Sequence, residues 1–386
     1  MDFELSADQA DLVAGVQASL RPFDDAYWLD CDREHRFPET FVQAMAKGGW
    51  LGVTLPEAYG GAGLGVTEAA LMMLEVARAG GMTAASSIHM NIFGPKAIVQ
   101  FGTEAQRAAW LPELISGRTK SCFAVTEPDT GLDTTRLTTR AVRQGARYTV
   151  NGRKMWTSTA QVADRIMLLA RTSDYDAARP TEGLSLFYTA LDRNAVEVRE
   201  IDKMGRAAVD TNALFIDNLN VPEEDLIGVE GQGFRYILQA MNPERILIAA
   251  EAVGIGLSAL GRAAAYARER EVFGRPIGQN QAIQHPLADG WARLEAARLL
   301  TLKAGALYDA GAPCGVEANA AKYLAAETGL DVCRQAMATH GGMGYAREFH
   351  VERLFREIMI PYLAPISQQL ALCFVAERAL GMPKSY

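Results

Sequence analysis

Four stretches of the chain combine residue types that could do chemistry. Phe123-Ala-Val-Thr-Glu-Pro-Asp-Thr-Gly-Leu-Asp133 reads as a strand running into a Pro/Gly/Asp turn. There Thr126 and the turn's backbone N–H groups could hydrogen-bond a planar heterocycle. Lys154-Met-Trp-Thr-Ser-Thr159 sets an aromatic plate beside hydroxyls. Arg268-Glu-Arg-Glu-Val-Phe-Gly-Arg275, followed by Gln281-Ala-Ile, gathers basic groups around Phe273 and Gly274. That composition suits an anionic, aromatic ligand, because guanidinium groups pair with phosphates bidentately. His340-Gly-Gly-Met-Gly-Tyr345 carries glycines that let backbone approach a ligand closely. Each stretch also has a plainer reading: a turn, a hairpin, a solvated charged loop and a helix-to-helix connection.

Several other chemistries lack their signatures. Gly61-Ala-Gly63-Leu-Gly65 is not G-x-G-x-x-G and does not lie between a clear strand and a crossover helix, so it reads as a surface turn. No Walker motif occurs. The histidines (His35, His89, His285, His340, His350) form no HExxH and no Cys/His cluster, so no metal site is expected. No G-x-S-x-G elbow supports a Ser-His-Asp triad.

The 386 residues carry 38 basic and 46 acidic side chains, for a net charge of −8, without a Lys/Arg run. That argues against nucleic acid and anionic membranes as partners. The cysteines (Cys31, Cys122, Cys314, Cys333, Cys373) are scattered with no CxxC. Met1-Asp-Phe-Glu-Leu5 has neither the basic start nor the apolar core of a signal peptide. No uninterrupted apolar run reaches the ~18 residues that span a bilayer. The expectation is a cytoplasmic protein with buried free thiols and no membrane partner.

These segments need elements to position them. The length allows two or three domains. Residues 1–118 read as helical, with apolar residues at helical spacing in Thr67–Ala79 and again in Glu104–Ile115. Residues 119–225 carry short β-branched and aromatic runs: Ser121–Val125, Arg147–Val150, Ile166–Ala170, Leu184–Leu191 and Ala213–Ile216. Asn151-Gly152, between Tyr148-Thr-Val150 and Lys154-Met-Trp156, predicts a hairpin with a type I′ turn. Residues 226–386 return to long Ala/Leu-rich segments, Ile246–Tyr266, Gln279–Tyr308 and Gly315–Met337, enough for an antiparallel bundle. The predicted fold is mainly α with a β middle domain. It has an N-terminal helical domain, an antiparallel β-barrel-like domain and a C-terminal four-helix bundle. No βαβ alternation supports a doubly wound sheet.

The order and spacing of these motifs resemble the acyl-CoA dehydrogenase family from about residue 5 to the C-terminus. The matching elements are Val125-Thr-Glu-Pro with Gly131 and Asp133, Asn151-Gly-x-Lys-Met-Trp156, Arg270-x-x-Phe-Gly274 and Gln281-Ala-Ile. His340-Gly-Gly-x-Gly344 and Val351-Glu-Arg-Leu-x-Arg356 complete the series. The resemblance implies FAD as cofactor, an acyl-CoA thioester as substrate, electron-transferring flavoprotein as acceptor, and a homotetramer or dimer. By the same resemblance Phe123, Val125 and Thr126 line the flavin ring, while Trp156 and Ser158 flank its N5 edge. Many members carry Thr at that last position, so Ser158 keeps the hydroxyl. Arg270, Phe273 and Gln281 correspond to residues reaching FAD from a neighbouring subunit. Gly342, Ser367 and Gln369 also match FAD-contacting positions. Ala338 stands where many members have Gln, which removes one adenosine-side hydrogen bond.

One departure concerns the catalytic base. Most members place a Glu in a loop near the C-terminus, where this chain reads Leu363-Ala-Pro-Ile-Ser-Gln-Gln369. Pro365 can neither take a proton nor donate a backbone N–H. Met241-Asn-Pro-Glu-Arg245 instead matches the segment where isovaleryl-CoA and long-chain members carry their Glu. Glu244 is therefore the expected base and Arg245 its substrate-binding neighbour, with Glu251 as the other candidate. Read without the resemblance, Asn242, Pro243 and Glu244 make a good helix N-terminus. The expected reaction is α-proton abstraction with β-hydride transfer to flavin N5, giving a 2,3-enoyl thioester. The altered loop leaves three alternatives: an oxygen-using flavin oxidase or monooxygenase, a dehydrogenase of carrier-protein thioesters, or a silent FAD-binding partner subunit.

Overall fold

The computed structural model of the chain describes residues 4–385. Helices α1 (Ala7–Leu20), α2 (Asp25–Arg33), α3 (Glu39–Lys47), α4 (Val66–Phe93), α5 (Lys96–Phe101) and α6 (Glu104–Ile115) come first. Next are strands β1 (Ser121–Ala124), β2 (Arg140–Gln144), β3 (Arg147–Ser158), β4 (Arg165–Arg171), β5 (Leu184–Ala190), β6 (Val196–Glu200), β7 (Thr211–Pro222) and β8 (Leu226–Ile227). Helix α7 (Gly233–Glu269) leads through the short hairpin β9 (Glu271–Val272) and β10 (Arg275–Pro276) into α8 (Gln281–Asp309) and α9 (Gly315–His340). Helices α10 (Val351–Glu357), α11 (Met359–Leu363) and α12 (Gln368–Leu380) close the described chain. The helical, β, helical order is the expected one.

Side-chain oxygens start several helices. Ser6 with Gln9 at α1, and Thr103 with Gln106 at α6, form reciprocal capping boxes that satisfy otherwise orphaned N–H groups. Helix α4 runs well past the expected Ala79. At Gly81 its backbone leaves the helical region (φ 71°, ψ −160°), and the helix then continues to Phe93. The break is clasped by α10. Buried Glu357 accepts from Thr83 N (3.1 Å) and Thr83 Oγ1 (2.7 Å), and Arg353 Nη1 donates to Gly80 C=O (2.9 Å). A Cβ on Gly81 would run into the Glu357 carboxylate and the Arg353 guanidinium. Gly81→Ala is expected to cost about 1–3 kcal/mol from the backbone conformation alone, measured as a lower thermal midpoint. The break matters because it aims the second half of α4, which carries Ser86 and His89.

The β elements form one eight-stranded sheet in the order β6-β7-β3-β2-β4-β5-β8, with β1 parallel on β4. Apart from that pairing and a parallel β2–β4 contact, neighbours are antiparallel. The sheet is open between β6 and β8, but Val196 of β6 and Phe187 of β5 share one apolar core with Cys122, Tyr148 and Leu214. It thus wraps around its interior as a barrel does. The opposite face of β4 and β5, through Met167, Leu169, Leu184 and Leu186, packs on Leu111 and Leu114 of α6 and Tyr236 and Ile237 of α7. Both faces of β4 are therefore buried, which explains its unbroken apolar run.

The Asn151-Gly152 hairpin is not formed. Strand β3 runs straight through both residues, and the β2–β3 turn lies at Gly145, whose φ of 64° suits a tight hairpin. Against β7 the register shifts between Val150 and Gly152, with the extra residue on β7 and Asn218 at φ 55°. Asn151 Oδ1 accepts from Asn218 N (2.8 Å), so Asn151 braces a bulge rather than a turn. A side chain at Gly152 would run into Thr139. Close approach, not positive φ in a turn, selects glycine here.

The C-terminal helices α7, α8, α9 and α12 pack side by side, and α4 lies along α7. Ala249, Ala252, Ala321, Ala325 and Ala336 are fully buried, so small side chains bring the axes close. Asn242 and Pro243 do not begin a helix. They lie about ten residues inside α7, whose first residue is Gly233. The helix-start reading of Glu244 is thereby removed. An 18-residue stretch of α7 is long and apolar enough to cross a bilayer, and 78% of it is buried inside the fold. Reading for uninterrupted apolar runs passed it over because Glu251 breaks it. Four cysteines are buried and free, while Cys373 is only half-buried, contrary to the expectation for all five.

Candidate active site

Three cross-links bring the two β-domain motifs together. Met155 N donates to Thr126 C=O (2.9 Å), Lys154 Nζ to Val125 C=O (3.0 Å), and Thr159 Oγ1 to Ser121 C=O (3.2 Å). Phe123, Val125 and Thr126 therefore lie alongside Trp156 and Ser158. Trp156 has a left-handed backbone (φ 61°) and is 60% exposed, so its indole stands proud of the sheet. Lys154 is fully buried and also donates to Glu127 Oε1 at 3.0 Å. Burial pushes the Glu127 carboxyl up, but Lys154 and the N–H groups of Thr138 and Thr139 outweigh it and hold the pKa at about 2. Burial pulls the Lys154 ammonium down to about 8.

An aromatic bridge leads from this cluster to the helices. The Phe123 ring meets Phe93 edge-on at 5.4 Å, and Phe93 lies 5.0 Å from the His89 ring. His89 Nδ1 is 2.6 Å from Glu251 Oε1, which is fully buried on α7. Burial works against charge on His89, but the Glu251 carboxylate and then Glu244 outweigh it and raise its pKa. His89 Nε2 and Glu251 Oε2 are buried without partners. Glu244 lies about two turns before Glu251 on α7, close to the same face. Its half-buried carboxyl forms no hydrogen bond or ion pair with the described residues. Burial lifts its pKa to about 7, against the opposing pull of His89 and Arg245. A lone carboxyl poised near neutrality is equipped to take a proton.

The other expected residues are placed differently. Arg245 Nη1 donates to Asn242 Oδ1 (3.0 Å) while its Nε is buried and unpartnered. Arg270, Phe273 and Gln281 lie at the α7–α8 connection, where no hydrogen bond or ring contact joins them to the Phe123–Ser158 cluster among the described residues. Phe273 sits at the hairpin tip with φ 54° and is fully exposed. Gly342 is exposed in the short 3-10 turn after α9. Ser367 caps α12 by accepting from Leu370 N (3.2 Å), and Gln369 is exposed beside it. Buried Lys322 donates to Tyr362 C=O, Ile366 C=O and Gln368 Oε1, so it clamps the loop that contains Pro365.

Sequence reasoning read His89 only as a histidine outside any metal motif, did not single out Arg206, whose Nη2 donates to Ser158 Oγ at 3.0 Å, and saw Lys154 and Glu127 only as parts of motifs. His89 and Glu251 are 162 positions apart, so no local pattern joins them. The one available signal was Glu251 itself, a lone acid inside Ile246-Leu-Ile-Ala-Ala-Glu-Ala-Val253.

Comparison with known proteins defines the family. Residues 6–118, 122–219 and 231–379 match the N-terminal, middle and C-terminal domain models of acyl-CoA dehydrogenase. The chain is 34% identical over 391 residues to acyl-CoA dehydrogenase FadE12 of Mycobacterium tuberculosis, covering 99% of this chain and 98% of the relative. A glutaryl-coenzyme A dehydrogenase in complex with glutaryl-CoA superposes with a TM-score of 0.94 at 32% identity, covering 100% of this chain and 98% of the other. A glutaryl-CoA dehydrogenase from Mycobacterium smegmatis in complex with FADH2 gives 0.91 at 25% identity, covering 99% and 97%. The chain belongs to the acyl-CoA dehydrogenase family. It is a flavoprotein oxidoreductase acting on acyl-CoA, with FAD as its cofactor. The residues present fit that cofactor. A planar ring can cover the exposed Trp156 indole and meet the half-buried Ser158 hydroxyl, whose oxygen accepts from Arg206 and whose proton no described residue accepts.

Proposed function

We propose that the chain oxidises an acyl-CoA thioester between Cα and Cβ, with Glu244 removing the α-proton. The observation that carries this reading is the unpaired, half-buried Glu244 carboxyl, held near pKa 7 at the helical end of the aromatic bridge. An α C–H beside a thioester is a weak acid, so its base works best with a pKa near the working pH. Pro365 offers neither carboxylate nor N–H, and Lys322 holds its loop in place. FAD, when bound, supplies the hydride acceptor. The chain supplies the base, the alignment and a dry wall of Phe93 and Phe123. Lys154 and Glu127 fix the Val125–Thr126 segment, which we place against the flavin ring with Trp156 and Ser158 at its edge. Arg245 is placed at the substrate.

Arg270, Phe273 and Gln281 are placed against the FAD of a second protomer, within a homotetramer or dimer. The fully exposed Phe273 on its hairpin tip supports this, because its own chain does not cover it. Gly342, Ser367 and Gln369 are assigned to the same cofactor. Electron-transferring flavoprotein is the proposed acceptor, and a cytoplasmic setting fits the free thiols.

The test is anaerobic titration of the holoenzyme with acyl-CoAs of graded length and branching, following the oxidised flavin band. Bleaching by one class is expected and names the substrate. No bleaching by any thioester, with FAD bound, would overturn the reading.

A further inference from the structure

Arg206 is 6% exposed and forms no ion pair with the described residues. Burial pulls its pKa to about 10, which leaves it charged at neutral pH. Its guanidinium donates to three hydroxyls: Ser86 Oγ on α4 (3.0 Å), Ser158 Oγ on β3 (3.0 Å) and Thr211 Oγ1 on β7 (2.5 Å). Ser158 and Thr211 are cross-strand partners, so Arg206 stands in the seam where the sheet meets α4. Its own backbone has φ 58°, an uncommon conformation for a non-glycine residue. An unpaired buried cation in such a conformation is costly to keep.

The chemistry of the donor explains what it does. Guanidinium has five N–H groups and no acceptor. Ser158 Oγ must therefore accept from Arg206, and its own proton must point elsewhere. No described residue accepts that proton. Ser158 is half-buried while Arg206 behind it is buried, so the hydroxyl presents its O–H outward, two residues from the exposed Trp156.

We propose that Arg206 is a positioning residue that holds the Ser158 hydroxyl with its proton turned to the flavin edge and sets a fixed positive charge behind it. Charge and hydrogen bonds at a flavin's ring nitrogens tune its electronics. A cation favours the electron-rich reduced ring and raises the midpoint potential, whereas an O–H donor at the N5 edge favours the oxidised ring, whose N5 accepts, over the reduced ring, whose N5 carries hydrogen. The inference rests on the placement of Ser158 at the flavin edge proposed above. It does not depend on Glu244 or on which thioester is oxidised.

The experiment measures the flavin midpoint potential of substrate-free holoenzyme by anaerobic dye equilibration. The variants are Ser158→Ala, Arg206→Lys, Arg206→Gln and the double variant Ser158→Ala/Arg206→Gln. Arg206→Gln is expected to lower the potential and Arg206→Lys to lower it less, because Lys keeps the charge but not the three-way fork. Ser158→Ala is expected to shift it the other way, and the effect of Arg206→Gln is expected to differ in that background, because the two residues are coupled. Ser158→Ala removes one half-buried hydroxyl and tests the idea even if Arg206→Gln does not fold. A wild-type potential in Ser158→Ala or in Arg206→Gln, at full FAD occupancy, would overturn the proposal. The potential is read without substrate, so a holoenzyme that no acyl-CoA bleaches would overturn the proposed reaction and still report on Arg206.

Discussion

Glu244→Gln is expected to slow bleaching of the flavin by acyl-CoA about 10²–10⁴-fold, the usual contribution of a positioned general base. FAD should stay bound, because Glu244 makes no hydrogen bond or ion pair with the residues around Trp156. The pH profile adds a signature that a structural role would not produce. The Glu244 pKa is raised to about 7, so the active carboxylate is scarce below that pH. In the wild type, the rate should rise as pH climbs through about 7 and level off above it. Gln cannot titrate, so the residual activity of the variant should lose that limb. The sign for stability is the opposite. A carboxyl with a raised folded pKa favours the fold most at pH values below its unfolded pKa, and that contribution fades as pH rises through about 7. The Gln variant should lack that slope as well. Full activity in Glu244→Gln, together with its loss in Glu251→Gln, would move the base two turns along α7.

Lys154→Met should have the largest effect on stability. It leaves Glu127, 4% exposed, without the ammonium that Lys154 supplies at 3.0 Å. Removing one partner of a buried pair typically costs about 3–5 kcal/mol, because the remaining charge is stranded. Denaturant midpoints at constant m-value measure this directly. The Val125 carbonyl loses its donor at the same time, so FAD affinity should fall along with stability. Here pH acts in the opposite direction. Glu127 has a pKa lowered to about 2 from 4.5, so its contribution is present above the unfolded value and is lost as pH falls through about 2. The Lys154→Met variant should show a weaker acid dependence, since its carboxyl no longer has the cation that lowers its pKa. Adding Glu127→Gln should recover part of the loss, because the two residues are coupled. A single variant within 1 kcal/mol of wild type would show that the pair does not hold this segment.

Much of the architecture was legible in the sequence because it rests on local physics. Apolar residues at helical spacing marked α4, α6 and the long C-terminal helices. Strands β1, β4, β5 and β7 showed as apolar runs bounded by turns. Strands β2 and β6 were not read, since Arg140–Gln144 and Val196–Glu200 are short and mostly polar. Asn151-Gly152 misled for the same local reason. The dipeptide favours a tight turn, but pairing with both β2 and β7 overrides it and turns Asn151 into a brace for a bulge. The helix-start signal at Asn242-Pro243 fared likewise, because Tyr236 and Ile237 pack on β5 and α6, so α7 starts back at Gly233.

For the site, residue types and their order were enough to name the family's motifs and to single out Pro365 and Glu244, on which the proposed base assignment rests. Tertiary structure alone decided the electrical setting of Glu244. Burial raises Glu244, and His89 reaches Glu251 from another helix. Arg206 joins α4 to two strands, aimed by a helix whose break at Gly81 is clasped by α10. Each of these rests on contacts between residues far apart in the chain. Sequence spacing encodes periodicity along one element; it does not encode which side chains meet across a seam between domains.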